Sequence, residues 1–103
     1  MYLIRDLMYC KPGKVRPLVE KFQAMAALSE KLGMPKMRLM TDFCAEQYWT
    51  VVSEMEVPTL QAFEDMMSGA QGSADDMKEF DKIMKGYHEL VDHGKREIYK
   101  IES

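Results

Sequence analysis

The chain has 103 residues, 47% of them hydrophobic and 30% charged, with a net charge of −3. That is the balance of one ordinary folded domain, residues 1–103. Interleaved acids and bases exclude the concentrated basic face of a nucleic-acid binder. No apolar run approaches the roughly 20 residues that span a bilayer, so no membrane partner is expected. No basic segment precedes an apolar core at the N-terminus, so no secretory signal is visible and the expected compartment is the cytoplasm.

The first apolar run, residues 2–9, reads as a strand. Tyr2, Ile4, Asp6 and Met8 share one face, and Leu3, Arg5, Leu7 and Tyr9 share the other. Both faces carry large side chains, whereas a sheet covered on one side alternates more cleanly. Lys11-Pro12-Gly13-Lys14 breaks the run. A helix follows, with Val15, Leu18, Val19, Phe22, Met25, Ala26 and Leu32 forming one apolar stripe. Gly33 stands where a left-handed cap needs no Cβ, and Pro35 prevents continuation.

A second strand is predicted at 36–43 and a third at 47–56, joined through Cys44-Ala45-Glu46. The third places Trp49, Val51, Ser53 and Met55 on one face, with Tyr48, Thr50, Val52 and Glu54 on the other. Pro58 then opens a short helical segment with Leu60, Phe63, Met66 and Met67 inward. Residues 68–72 interrupt it and are a candidate pocket rim. Ser73 has the character of an N-cap, with Asp76 in the capping-box position. Met77, Phe80, Met84, Tyr87 and Val91 continue the stripe, and Gly94 is expected to end the helix, with His93 as a terminal residue. The last strand is predicted at 96–101.

This order is β-α-β-β-α-β, an α+β, ferredoxin-like arrangement with a four-stranded antiparallel sheet. Two helices cover one sheet face. The other, also partly apolar, implies a partner.

Two cysteines without metal-ligand spacing read as reduced structural thiols at Cys10 and Cys44. No phosphate loop, nucleophile elbow or histidine pair occurs, so no cofactor and no metal are expected. Methionine is abundant, 11 of 103 residues. Its flexible thioether suits an adaptable apolar pocket, but most of these methionines fall at helix or strand core positions, which favours an irregular core and interface. Arg5, Asp6 and Arg38 stand among apolar strand residues and need partners, solvent or a ligand.

The first strand, its Pro-Gly-Lys turn and the long helix resemble the start of NIPSNAP-like domains in the dimeric α+β barrel superfamily. Tyr48-Trp49-Thr50-Val51-Val52, followed by Pro58 and a short helix, fits the same plan, and the element order matches over nearly the whole chain. The resemblance implies two protomers stacking their sheets face to face as a homodimeric barrel. It also implies a choice of activities. Haem-degrading members are expected to use an Asn on the first strand, a Trp on the third and a His on the next helix. Trp49 could match the Trp, but Asp6 stands where the Asn would be and no His follows Pro58 until His88. That activity is not carried over.

The functional expectations are three. One is a pocket for an apolar or aromatic molecule between sheet and helices, suggested by Met8, Met40, Trp49, Phe63, Met66 and Phe80, with Tyr48 and Arg38 as further ligand contacts. The second is a cofactor-independent monooxygenase or isomerase acting on an aromatic or lactone-like substrate. Asp6 and His88 are then the candidate catalytic residues beside Tyr48 and Trp49. The third is an interaction module with no pocket.

Overall fold

The computed structural model describes residues 1–68 and 73–103. The chain runs β1 (Tyr2–Cys10), α1 (Val15–Lys31), β2 (Arg38–Thr41), β3 (Thr50–Val57), α2 (Leu60–Met67), α3 (Ala74–Met84), α4 (Tyr87–Leu90) and β4 (Val91–Lys100). The strands form one antiparallel sheet in the order β2-β3-β1-β4. The fold is therefore α+β and ferredoxin-like, with β1 and β3 as interior strands and the described helices on one face.

Alternation along β1 sets the two faces. Ile4, Met8 and Cys10 are buried on the helical side, where Met8 and Cys10 pack with Val51 of β3 and with Leu18, Val19 and Phe22 of α1. Burying one such side chain fully contributes about 1.5–3 kcal/mol, and Ile4, Leu18, Val51 and Val57 reach 1% exposure or less. The end of α1 is satisfied without side chains. The N–H of Gly33 donates to the Glu30 carbonyl and that of Met34 to the Ser29 carbonyl, both at 3.0 Å. That pairing needs a left-handed residue between them, and Gly33 supplies it at φ 77°.

The other face carries Leu3, Arg5, Leu7 and Tyr9 of β1, with Val52 and Glu54 of β3 opposite Leu7 and Arg5. No helix covers it. Arg5 donates through Nε to Glu54 at 2.7 Å, lies 3.8 Å from Glu97, and sits 5.4 Å from the centroid of the Tyr99 ring. The Glu54 bond holds the Arg5 proton more firmly than usual, against the opposing effect of burial.

Several boundaries differ from the sequence reading. The strands expected at 36–43 and 47–56 shrink to β2 and a later β3, because the chain between them reverses instead of extending. Asp42 accepts the Thr50 N–H through its carboxylate at 2.9 Å, and the Thr50 hydroxyl donates back to the Gln47 carbonyl at 2.9 Å. Tyr48 and Trp49 thereby fall outside the strand, Trp49 with a left-handed φ of 62°.

The stripe expected to end at Gly94 ends earlier, breaking at Lys85–Gly86 and again at Leu90. His93 and Gly94 belong to β4, and the final strand is longer than 96–101. Gly94 faces Met8, and a Cβ there would lie 2.9 Å from the Leu7 carbonyl oxygen. The residue marks a close approach of two backbones, not a helix stop. The expected pocket rim at 68–72 falls mostly on 69–72, which lie outside the described residues.

Candidate functional site

A cleft of about 550 Å³ opens between the helical face of the sheet and the helices. Every element except β2 contributes to it. Six of the chain's 11 methionines line it: Met8, Met25, Met37, Met55, Met67 and Met84. Phe22 of α1 and Phe63 of α2 complete the apolar wall. Unbranched thioethers can shift rotamers at little cost, so this wall adapts to differently shaped apolar guests.

One end of the cleft is polar. Asp6 lies opposite Ser53 on β3 and Arg96 on β4, and residues paired across an antiparallel sheet share a face. The three form a row across the floor. Arg96 donates to Asp6 from two nitrogens, Nε to Oδ1 at 2.6 Å and Nη2 to Oδ2 at 3.3 Å. Its guanidinium lies 5.1 Å from the centroid of the Phe63 ring, within cation–π range. The Asp6 side chain is 25% exposed and that of Arg96 is 42% exposed. A pair so accessible contributes at most about 1 kcal/mol to stability, so its chemistry matters more than its energy.

Tyr87 of α4 also lines the cleft. Burial, and next the charge of Asp6, push its phenol above the ordinary tyrosine range, so its O–H stays a hydrogen-bond donor at neutral pH. Burial likewise raises the Cys10 thiol, with a smaller contribution from Asp42, and keeps it uncharged. Among the described residues, no group of acids, cysteines and histidines could hold a metal ion, and no helix is long and apolar enough to cross a membrane.

The candidate residues from the sequence separate. Asp6 and Phe63 line the cleft together with Met8. Met66 is half-buried on α2 beside it, but the cleft takes its neighbour Met67. His88 is exposed on α4, its ring edge-on to Tyr87 with centroids 5.3 Å apart. Tyr48 and Trp49 stand at 86% and 44% exposure in the turn before β3. Met40 pairs with Val52, placing it on the helix-free face. Arg38 lines a second hollow of about 790 Å³ at the sheet edge, shared with Leu3, Glu54, Glu56 and the chain end at Ser103. That hollow is larger, but Lys36, Arg38 and Glu56 on its rim are solvated and, among the described residues, no helix contributes to its lining. The helix-roofed cleft is the better ligand site.

Arg96 and Tyr87 were not singled out by sequence reasoning. The available signal was an acid and a base of opposite charge in the middle of the first and last strands. Using it requires the β1–β4 register, which no local pattern specifies.

No family model matches the chain, and no curated protein matches it in sequence. Solved structures do match. A NIPSNAP domain protein from Burkholderia xenovorans superposes with a TM-score of 0.75 at 10% identity, covering 100% of this chain and 96% of that one. A NIPSNAP family protein from Agrobacterium tumefaciens gives 0.75 at 9% identity, over 96% and 90%. An antibiotic biosynthesis monooxygenase gives 0.69 at 10% identity, with both chains covered completely. At such identities the likeness is one of fold, and the NIPSNAP-like ferredoxin fold read from the element order is shown.

Proposed function

We propose that this chain is a homodimeric binding protein whose cleft between sheet and helices takes an apolar or aromatic small molecule. The observation that carries the proposal is the cleft itself, about 550 Å³, walled by thioethers and two phenylalanines with polar groups gathered at one end. Its size falls within the range of small-molecule sites. The dimer would form through the helix-free face, where Leu3, Leu7, Met40 and Val52 are only half-buried and Tyr99 is 47% exposed. Such an interface is isologous, each copy presenting the same patch. The free thiols at Cys10 and Cys44 fit a reducing, cytoplasmic setting.

A ligand that binds only the folded state raises the melting temperature with the logarithm of its concentration. Naphthalene and a panel of aromatic and lipid compounds should do so, and a flat response across the panel overturns the reading. Sedimentation equilibrium tests the dimer, which a folded monomer at micromolar concentration would refute.

A second reading, cofactor-free oxygenation or isomerisation, draws on the monooxygenase among the fold neighbours and on Asp6 and Tyr87 both lining the cleft. Oxygen uptake in the presence of an electron-rich phenol would support it, and absence of uptake with a bound phenol would remove it. An interaction module without a ligand is the outcome if nothing binds.

A further inference from the structure

Resting on the binding reading above, we infer that the Asp6–Arg96 pair is a charge filter. It admits neutral molecules that carry a hydroxyl on an apolar body, and it turns away molecules with a carboxylate head.

Three observations combine. First, the pair is the ionic feature of the cleft floor, and its net charge is zero: Arg96 spends Nε and Nη2 on the two Asp6 oxygens. An entering carboxylate finds the Nε–Nη2 edge of the guanidinium already matched, and to use the remaining N–H groups it must lie close to the Asp6 charge. Like charges so placed repel, and solvent at this partly exposed pair moderates the repulsion without removing it. Second, a neutral hydroxyl meets no such penalty. It can donate to an Asp6 oxygen, which has lone pairs beyond those used by Arg96. It can also accept from the O–H of Tyr87, a residue that lines the same cleft. Third, among the described residues the remaining polar lining is Ser53, which is 3% exposed, and Lys95, which pairs with Leu7 and so belongs to the opposite face of the sheet from Asp6 and Arg96. Met55, Met67, Met84 and Phe63 enclose the apolar body of the guest. Phe63 also covers the guanidinium, which disfavours Arg96 swinging out to greet an anion. Specificity here comes from a repulsive group as much as from an attractive one.

The test compares naphthalene, 2-naphthol and 2-naphthoate at pH 7 by titration calorimetry on the wild-type protein and on Asp6→Asn. The wild type should bind 2-naphthol about tenfold tighter than 2-naphthoate, the ratio that one charge-assisted hydrogen bond commonly supplies. Asp6→Asn removes the repulsion and frees Arg96, so naphthoate should become the tighter of the two. Should that variant not fold, Arg96→Gln serves instead, and naphthoate should weaken further while naphthol is retained. Equal or tighter naphthoate binding to the wild type overturns the filter, as does an unchanged ratio in Asp6→Asn. If naphthalene binds and naphthol binds no better, the cleft stands and the filter falls. If none of the three binds, the binding reading fails and the filter with it.

Discussion

The two halves of the chain solve the same packing problem differently. In the first, β1–α1–β2, a single helix of 17 residues lies on the sheet and buries Leu18, Val19, Phe22 and Ser29. In the second, β3 through β4, the described residues form three helices of 8, 11 and 4 residues in its place, and none of them contains a buried residue. A helix that seals its face adds stability, whereas one that leaves its stripe half-covered leaves room for a guest. Stability is thus concentrated under α1 and space under α2, α3 and α4. Loosely packed elements are also those that open most readily.

Core truncation should break that contrast most visibly. Leu18→Ala should cost about 2–5 kcal/mol in urea unfolding, because Leu18 is wholly buried. Phe63→Ala, on a half-buried ring over the cleft, should cost under about 1.5 kcal/mol while weakening ligand binding. Comparable losses at both sites would mean that the second half is core as well.

Gly94→Ala comes next, at about 1–3 kcal/mol. The new methyl carbon would meet the Leu7 carbonyl oxygen at 2.9 Å, so β1 and β4 must part. Because Gly94 also lines the cleft, affinity should fall together with stability. Thermal melting and titration on one variant check both.

A smaller effect belongs to α3, whose start is held by a capping box. Ser73 Oγ accepts the Asp76 N–H at 3.2 Å, and the Asp76 carboxylate accepts the Ser73 N–H at 3.0 Å. Ser73→Ala should cost about 1 kcal/mol. The Ser73 backbone N–H, and next its hydroxyl, hold the Asp76 carboxyl below its ordinary range. For an acid so depressed, the stabilisation is complete above the unfolded value of about 3.9 and is lost as pH falls through the lower folded value. Acid titration of Ser73→Ala should therefore show a shallower loss below about pH 4.

The smallest effect is alkaline. With Tyr87 raised, the unfolded chain releases its phenol proton first, so stability falls as pH rises past about 10. Tyr87→Phe should flatten that limb of a urea-midpoint profile. A profile identical to wild type would show that the Tyr87 phenol is not shielded from water at the cleft.

Much of this was legible in residue order. The Gly33 stop, the Ser73–Asp76 cap and the two-faced first strand follow from chemistry within a few residues, and the structure has each of them. Asp6 and Phe63, both candidates from the sequence, lie in the cleft lining. What escaped depends on long-range register. Gly94 looks like a helix terminator until β4 is laid against β1. Arg96 looks like a solvated strand residue until the same pairing puts it beside Asp6, 90 positions away. Trp49 and Tyr48 carry strong strand propensity, yet the Asp42–Thr50 hydrogen bond closes a turn around them. Tertiary context outweighs propensity at such positions.

The placement of Trp49 decides how ligands can be found. It is the chain's single tryptophan, and it sits in the β2–β3 turn, outside the cleft lining. Indole emission will therefore report on that turn and stay nearly silent when the cleft fills. A screen read by intrinsic fluorescence would score true binders as inert, while a second tryptophan introduced at Phe63 would turn the cleft into its own reporter.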